Sequence, residues 1–173
     1  MPTAELYKQR LDLLQIDLDL LLKKKSLLGW LRFAVVCAAA ACFYFVLPYG
    51  IQYALLPVVL LLLLFTRLVL ADLKNKSSIN HVKALLQINE DELNAIKINY
   101  YHFNDGSEHI PKEHLYVNDL DIFGHASIFQ FINRTGSAMG SSTLANWLSN
   151  AASYETIIER QAAVKELSAQ TAW

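Results

Sequence analysis

Along this chain the apolar positions follow three rhythms in succession. From Thr3 to Lys25 leucines recur at near-helical spacing, Leu6, Leu13, Leu14, Leu20 and Leu21, with Asp12, Asp17 and Asp19 between them. Steps of three and four residues put apolar side chains on one side of a helix. Before Lys23 acids are at least as numerous as bases, whereas a helix lying on a bilayer carries a basic polar face. The segment therefore predicts a helix that packs against protein or runs straight into the apolar stretch after it. From Leu27 to Leu70 the alternation ceases. No residue between Phe33 and Thr66 is charged. One helix over that run would be about 50 Å long, too long for one crossing of a roughly 30 Å hydrocarbon core. Pro48-Tyr49-Gly50 interrupts it; proline lacks the N–H, and glycine accepts the positive φ of a tight turn. The pattern predicts a transmembrane helical hairpin, Leu27–Leu47 and Ile51–Leu70, with arms of about 20 residues, long enough to span.

The third rhythm is that of short helices and loops. The polar stretch Ala71–Ser78 reads as a break, with Ser77 or Ser78 as a cap. Beyond it Ile79, Val82, Leu85, Leu86, Leu93 and Ile96 share a face. Asn89 followed by Glu90, Asp91 and Glu92 looks like another helix start, with acids in the first turn. Ile98–Asn118 is irregular: Asn104-Asp105-Gly106 is a turn signal and Ile110-Pro111 demands extended backbone. Next, Leu120, Ile122, Phe123, Ile128, Phe129, Phe131 and Ile132 form a dense apolar patch. Ser137 or Ser141 can start a helix carrying Leu144, Trp147 and Leu148. Ser153 can cap a last helix, with Thr156 and Glu159 as an alternative capping box. The expected fold is all-α: an N-terminal helix (1–26), a two-helix transmembrane hairpin (27–70), linker helices (71–97), an irregular connector (98–118) and a small antiparallel helical cluster (119–173).

Charge gives the hairpin an orientation. Lys23, Lys24, Lys25 and Arg32 precede or open the first arm, Arg67, Lys74 and Lys76 close or follow the second, and the turn has none. The positive-inside rule puts both ends in the cytoplasm, in a cytoplasmic (inner) membrane crossed twice. Arg32 and Arg67 are near enough to the ends to snorkel. Trp30, Tyr44, Tyr49 and Tyr53 fall near the interfaces, and the small run Ala38–Ala41 offers the second arm a close approach. Three lysines fall short of the roughly 4–8 bases of a lipid-recognition cluster, so Lys23–Lys25 reads as a topology determinant. Formal net charge over the 173 residues is −1, which gives no global argument for nucleic acid. Both cysteines, Cys37 and Cys42, lie in the first arm and read as small packing groups.

Candidate chemistry is sparse. His102, His109 and His114 invite a metal reading, but no cysteine is near and the spacing matches no zinc pattern; they read as loop residues, and no metal site is expected. Asp119 and Asp121, two apart on what reads as an extended segment, would face one side, with no ligand set or nucleophile beside them.

From Tyr116 the sequence becomes specific: Asp119-Leu120-Asp121-Ile122-Phe123-Gly124, Ser127-Ile128-Phe129-Gln130, Asn133-Arg134-Thr135, Met139-Gly140, Trp147-Leu148, then Ile157, Arg160-Gln161, Val164 and Leu167. In this order and spacing the stretch resembles the start of the core (lever) domain of the MutS family, the DNA mismatch-repair ATPases. The segment from about Leu85 is similar to the lead-in of short, membrane-anchored members, while the first 84 residues match nothing in the repair enzymes proper. The resemblance implies that the complete protein is a dimeric, DNA-binding ATPase using ATP and magnesium, with this chain supplying anchor and scaffold. It departs from the family in several places. Ser141 and Ser142 stand where many relatives have a basic residue. The mismatch-reading domain with its Phe-x-Glu wedge is absent, and so is a G-x-x-x-x-G-K-[ST] phosphate loop.

No catalytic or cofactor-binding residue is expected in this chain, and the family-motif residues read as structural, Asn133-Arg134-Thr135 as a helix end and turn. The ending at Trp173, where the family's core would continue, implies the N-terminal part of a larger protein. Expected partners are the bilayer, a second copy or the missing ATPase portion, and DNA only through the complete protein. From Tyr116 on, Arg134, Arg160 and Lys165 are outnumbered by Asp119, Asp121, Glu155, Glu159 and Glu166, the wrong sign for a DNA surface. That balance supports the alternative of a two-span anchor with a cytoplasmic protein-interaction head and no DNA role.

Overall fold

The computed structural model describes residues 3–46 and 51–168, and for residue 3 and residues 51–56 the backbone alone. The described residues are helical with no strand, and they divide into two compact units, Met1–Ile96 and Lys97–Trp173. Pro48-Tyr49-Gly50 and the side chain of Tyr53, on which part of the hairpin reading rests, lie outside the described residues.

The first unit is two long helices packed along each other, α1 (Thr3–Val46, 44 residues) and α2 (Ile51–Ile96, 46 residues). The N-terminal helix and the first arm are thus one helix. The polar stretch 71–78 is also helix, which corrects the expected break and the expected caps. Ser78 Oγ donates back to Lys74 O (3.3 Å), and Asn89, read as a helix start, donates from Nδ2 to Leu85 O (2.7 Å). No Gly or Pro stands between Val58 and Ile96, so nothing forces the chain out of the helix, and a neighbouring helix supplies the packing that sustains it.

That packing follows a heptad line on each helix. On α1 a line of buried and half-buried positions runs through Ala4, Tyr7, Leu11, Leu14, Leu18, Leu21, Leu28, Arg32, Val35, Ala39, Cys42 and Val46, with Leu6 and Arg10 half-buried beside it. On α2 one runs through Val58, Leu61, Phe65, Leu68, Asp72, Asn75, Ile79, Val82, Leu86, Asn89 and Leu93, with Val69, Ser78, Leu85 and residues 91, 92, 94 and 95 half-buried or buried beside it. Steps alternate three and four throughout, with only Lys25 leaving the α1 line. This is the seam of a coiled coil, and such a repeat imposes a left-handed supercoil. Of the run Ala38–Ala41, only Ala39 is on the side of α2; the others are exposed.

Polar groups sit in this seam beyond the apolar arm. Arg32 Nη2 lies 3.1 Å from Asp72 Oδ2. Helical side chains lean toward their own N-terminus, so in antiparallel helices Arg32 and Asp72 lean toward each other. Asn75, 3% exposed, donates from Nδ2 to Leu21 O across the seam (3.0 Å). Asp72 Oδ1 and the side-chain carbonyl oxygens of Asn75 and Asn89 are buried without a hydrogen-bond partner among the described residues.

Among the described residues one helix, α1, is long and apolar enough to cross a membrane. Two are expected from the sequence. The described side chains of the second arm begin at Pro57, and a span's length from there already takes in Arg67, Asp72 and Lys74.

In the second unit a connector (97–127) leads to three helices, α3 (Ile128–Ile132), α4 (Ala138–Ser149) and α5 (Tyr154–Ser168). Its core is Val117, Ile122, Phe123, Phe129 and Ala145, edged by Tyr116, Leu144 and Leu148. The expected patch is only half inside: Leu120, Ile128, Phe131 and Ile132 are exposed. Each helix starts on a serine whose Oγ accepts an N–H: Ser127 from Gln130, Ser137 from Gly140 and Ser153 from Thr156. Ser137, not Ser141, therefore caps α4.

Candidate functional site: the connector and the start of α4

Apart from a single 3-10 turn at Ser107–His109, the connector is pinned by hydrogen bonds rather than by regular structure. Asn104 Oδ1 accepts from Gly106 N–H (2.8 Å) and Asp105 Oδ1 from Ser107 N–H (3.0 Å). The expected turn is therefore two overlapping side-chain-mediated turns, with Gly106 left-handed at φ 70. The Ser107 backbone N–H and then its hydroxyl hold the Asp105 carboxyl below its ordinary value of 3.8, with a small contribution from His125. A side chain at Gly106 would stand 2.6 Å from Phe129 Cδ1. Gly106 therefore carries the connector directly over the buried Phe129 ring. Ile110 is extended, as Pro111 requires.

Two histidines then fasten the connector along α4. His109 Nε2 lies 3.1 Å from Ser141 Oγ, and its ring packs near Phe123 and Phe129. Five residues on, His114 Nε2 donates to Ser149 O (2.9 Å), and Tyr116 Oη donates to Leu148 O (3.4 Å). These carbonyls belong to the last turn of α4, where a helix has no partners of its own to offer. Since Ser149 O only accepts, His114 carries its proton on Nε2. Neither histidine is the free loop residue the sequence suggests. Among the described residues no three His, Cys, Asp or Glu side chains gather as a metal would need.

Gln130, 2% exposed, is the knot of the unit. Its Nε2 donates to Tyr101 O (3.0 Å) and Phe103 O (2.8 Å), and its Oε1 accepts from Ala126 N–H (2.8 Å). One side chain thereby satisfies two carbonyls and one N–H of irregular backbone, which are costly to bury unpaired. The sequence marks Gln130 only as part of a motif.

The other motif residues separate into groups. Ile122 and Phe123 are core. Asp119, Leu120 and Asp121 lie on the surface in a turn, Asp121 with φ 47, so the two acids are not on an extended segment. Gly124 takes φ 99 and donates N–H to Asp105 O (2.8 Å). Asn133 ends α3, and its Oδ1 accepts from Thr135 N–H (3.0 Å) and Oγ1–H (2.7 Å). Arg134 donates to Phe131 O and Asn133 O (both 2.9 Å) and lies over the Phe103 ring at 4.0 Å. Arg160 covers Trp147 at 3.9 Å, Leu148 edges the core, and Gln161 is exposed.

Asn133 and Thr135 meet the N-terminal turn of α4 in an open cleft of 570 Å³, lined also by Asn104, Glu108, His109, Ser137, Ser141 and Ser142. A second, largely apolar hollow of 500 Å³ shares Thr135 and Ser137 with this cleft and is lined by Met139, Gly140, Leu144 and Trp147. The polar cleft contains a serine–histidine pair, His109–Ser141. A nucleophilic serine needs its histidine oriented through the other ring nitrogen. Here Glu108 Oε1 approaches the same Nε2 atom, at 3.7 Å, so the acid competes for the serine's partner instead of orienting it. The arrangement fastens a connector to a helix.

No family model matches the chain, and neither a curated protein nor a solved structure matches it.

Proposed function

We propose that the chain is a two-span membrane anchor bearing the opening of a MutS-type core domain, and that it tethers and scaffolds rather than catalyses. The observation that carries the reading is the long apolar α1 within a two-helix rod, joined in sequence to a separate helical unit containing the Asp119–Leu167 pattern. The rod continues well past the apolar arm on both helices, so it serves as a stalk as well as an anchor. The lysine and arginine flanks put the two chain ends of this hairpin, the start of α1 and the end of α2, on the cytoplasmic side. The complete protein would be a dimeric ATPase acting on DNA, with ATP and magnesium bound outside this chain.

One observation favours a second reading, a protein-interaction head without a DNA role. Arg134 and Arg160, two of the three bases in the head after Tyr116, lie over aromatic rings. Meanwhile α5 buries no side chain and exposes Ile157, Ile158, Val164 and Leu167. A DNA surface needs several clustered bases; an uncovered apolar helix suits a protein partner.

Alkaline carbonate extraction of membranes from cells expressing the full chain tests the anchor: retention in the pellet is expected, and release to the supernatant would overturn it. A gel shift of the detergent-solubilised chain over a salt series separates the two readings. Binding that weakens steeply with salt supports the DNA-linked one, and no shift at low salt supports the protein-interaction head.

A further inference from the structure

α1 carries a second seam that α2 does not cover. Two residues after each heptad position from Leu11 to Leu28, the exposed Lys25 included, come Leu13, Ile16, Leu20, Lys23, Leu27 and Trp30, again at alternating steps of three and four. At 3.5 residues per turn, two residues is just over half a turn, so this line lies on the side of α1 away from α2. Leu13, Ile16 and Leu20 are 65%, 59% and 59% exposed, on the stalk beyond the apolar arm. Past Trp30 the same line continues through Ala34, Cys37 and Ala41, all exposed. The larger Phe33, Val36 and Phe43 stand on neighbouring lines.

The change of residue type along one line is the informative feature. In water, burial of Leu and Ile drives helices together. In lipid that drive is absent, and helices associate where small residues let backbones approach. This line has each composition where the proposed anchoring would require it. We infer that it is the dimerisation seam of the chain, on which α1 pairs in parallel and in register with α1 of a second copy. The inference rests on the membrane reading above. A partner must cross the bilayer beside α1 and continue into the cytoplasm to touch both halves of the line, and a second copy does so by construction. Two copies inserted the same way hold their α1 helices parallel and level, so a two-fold axis along the membrane normal brings each seam residue against itself. In that register Asp19 flanks Lys24 of the second copy, an attractive pair, while Asp12 flanks Asp17. Lys23 is the one charged seam position, the kind of residue that fixes register at some cost in stability.

The two native cysteines discriminate the faces. Cys37 is on the outer line and Cys42 on the α2-facing one. Membranes containing the full chain are treated with copper phenanthroline in air, which oxidises two thiols to a disulfide, and run on a non-reducing gel. The Cys42→Ala variant, retaining Cys37, should give a covalent dimer; Cys37→Ala should give at least tenfold less. Leu13→Ser combined with Leu20→Ser, far from either thiol, should lower the Cys37 dimer severalfold, which random collision in the bilayer would not do. Equal cross-linking of the two single-cysteine variants, or a Cys42→Ala chain that stays monomeric, overturns the inference, including in favour of a different membrane partner. Carbonate extraction on the same membranes reports separately: a chain released to the supernatant overturns the anchor, and this inference with it.

Discussion

The rod and the head solve the same problem, keeping short-range helical sequence in one arrangement, by opposite means. The rod repeats one contact: along the described seam every third or fourth residue except Lys25 is turned toward the other helix, and no single position dominates. It even admits Asp72, Asn75 and Asn89 into its seam with oxygens left unpartnered. The head concentrates its stability in few places, Phe129 at 0% exposed, Gln130 and Gly106. A repeated interface spreads the cost of a defect, whereas a small unrepeated core does not. Single substitutions should therefore be severe in the head and mild in the rod. Amide hydrogen exchange of the full chain in detergent reads the two units separately.

Phe129→Ala tests the contrast hardest. Removing a fully buried Phe costs about 3–5 kcal/mol, and the ring also supports Gly106 and His109. Exchange over residues 122–132 should accelerate by roughly two decades or more, since each 1.4 kcal/mol is tenfold, with the rod unchanged. Rod amides that lose protection in step would mean the units are not energetically separate. Gly106→Ala comes next, at about 2–4 kcal/mol, from left-handed backbone and overpacking on Phe129. Its effect should be confined to the head as well, and an unchanged exchange pattern there would contradict the placement of Gly106.

The same contrast explains what the sequence made legible. The long apolar α1 was readable because composition alone carries it. The two seams of α1 were not. Leu13-Leu14 and Leu20-Leu21 are adjacent pairs, so one stripe seen in the sequence is two stripes on opposite sides, Leu14 and Leu21 toward α2, Leu13 and Leu20 away. Asp72, Asn75 and the serines nearby read as a linker because polar residues at seam positions look like loop until the partner helix is known. In the head the serine caps and the Asn104-Asp105-Gly106 turn are local and were readable, apart from Ser127. The roles of Gln130, His109 and His114 depend on partner groups 27–35 residues away in sequence, backbone carbonyls for Gln130 and His114 and the Ser141 hydroxyl for His109, and no local signal marks them.

A smaller effect, in the opposite direction, is expected in the rod. Asn75→Leu removes a buried oxygen without a partner and a bond to Leu21 O, a carbonyl inside helix α1. Replacing a half-satisfied buried polar group with an apolar one of similar size should raise stability by about 1 kcal/mol, seen as a higher thermal midpoint of the helical circular-dichroism signal. Asn75 also crosses the seam and so marks register, whereas Asn89 bonds within its own helix. Asn89→Leu should stabilise without loosening register. A drop in midpoint for both variants would show that the polar seam positions stabilise the rod outright.

The smallest effect belongs to the connector's surface and depends on pH. The Asp105 carboxyl is held below its ordinary 3.8 chiefly by the Ser107 N–H and then the Ser107 hydroxyl. A depressed folded-state value means that the folded head binds its proton less readily than the unfolded chain does. The stabilisation is therefore fully present above about pH 4 and is lost as pH falls through the lowered value. Asp105 is half-buried and still open to solvent, whose screening keeps the contribution small. Asp105→Asn retains an acceptor for the Ser107 N–H but has no charge to titrate. Following the Ser107 amide resonance from pH 6 downward, the native chain should show a titration below 3.8 that the variant lacks. A native midpoint above 3.8 would mean that the Ser107 contacts are not made in solution. The head's core, which this turn only overlies, should not respond in either chain.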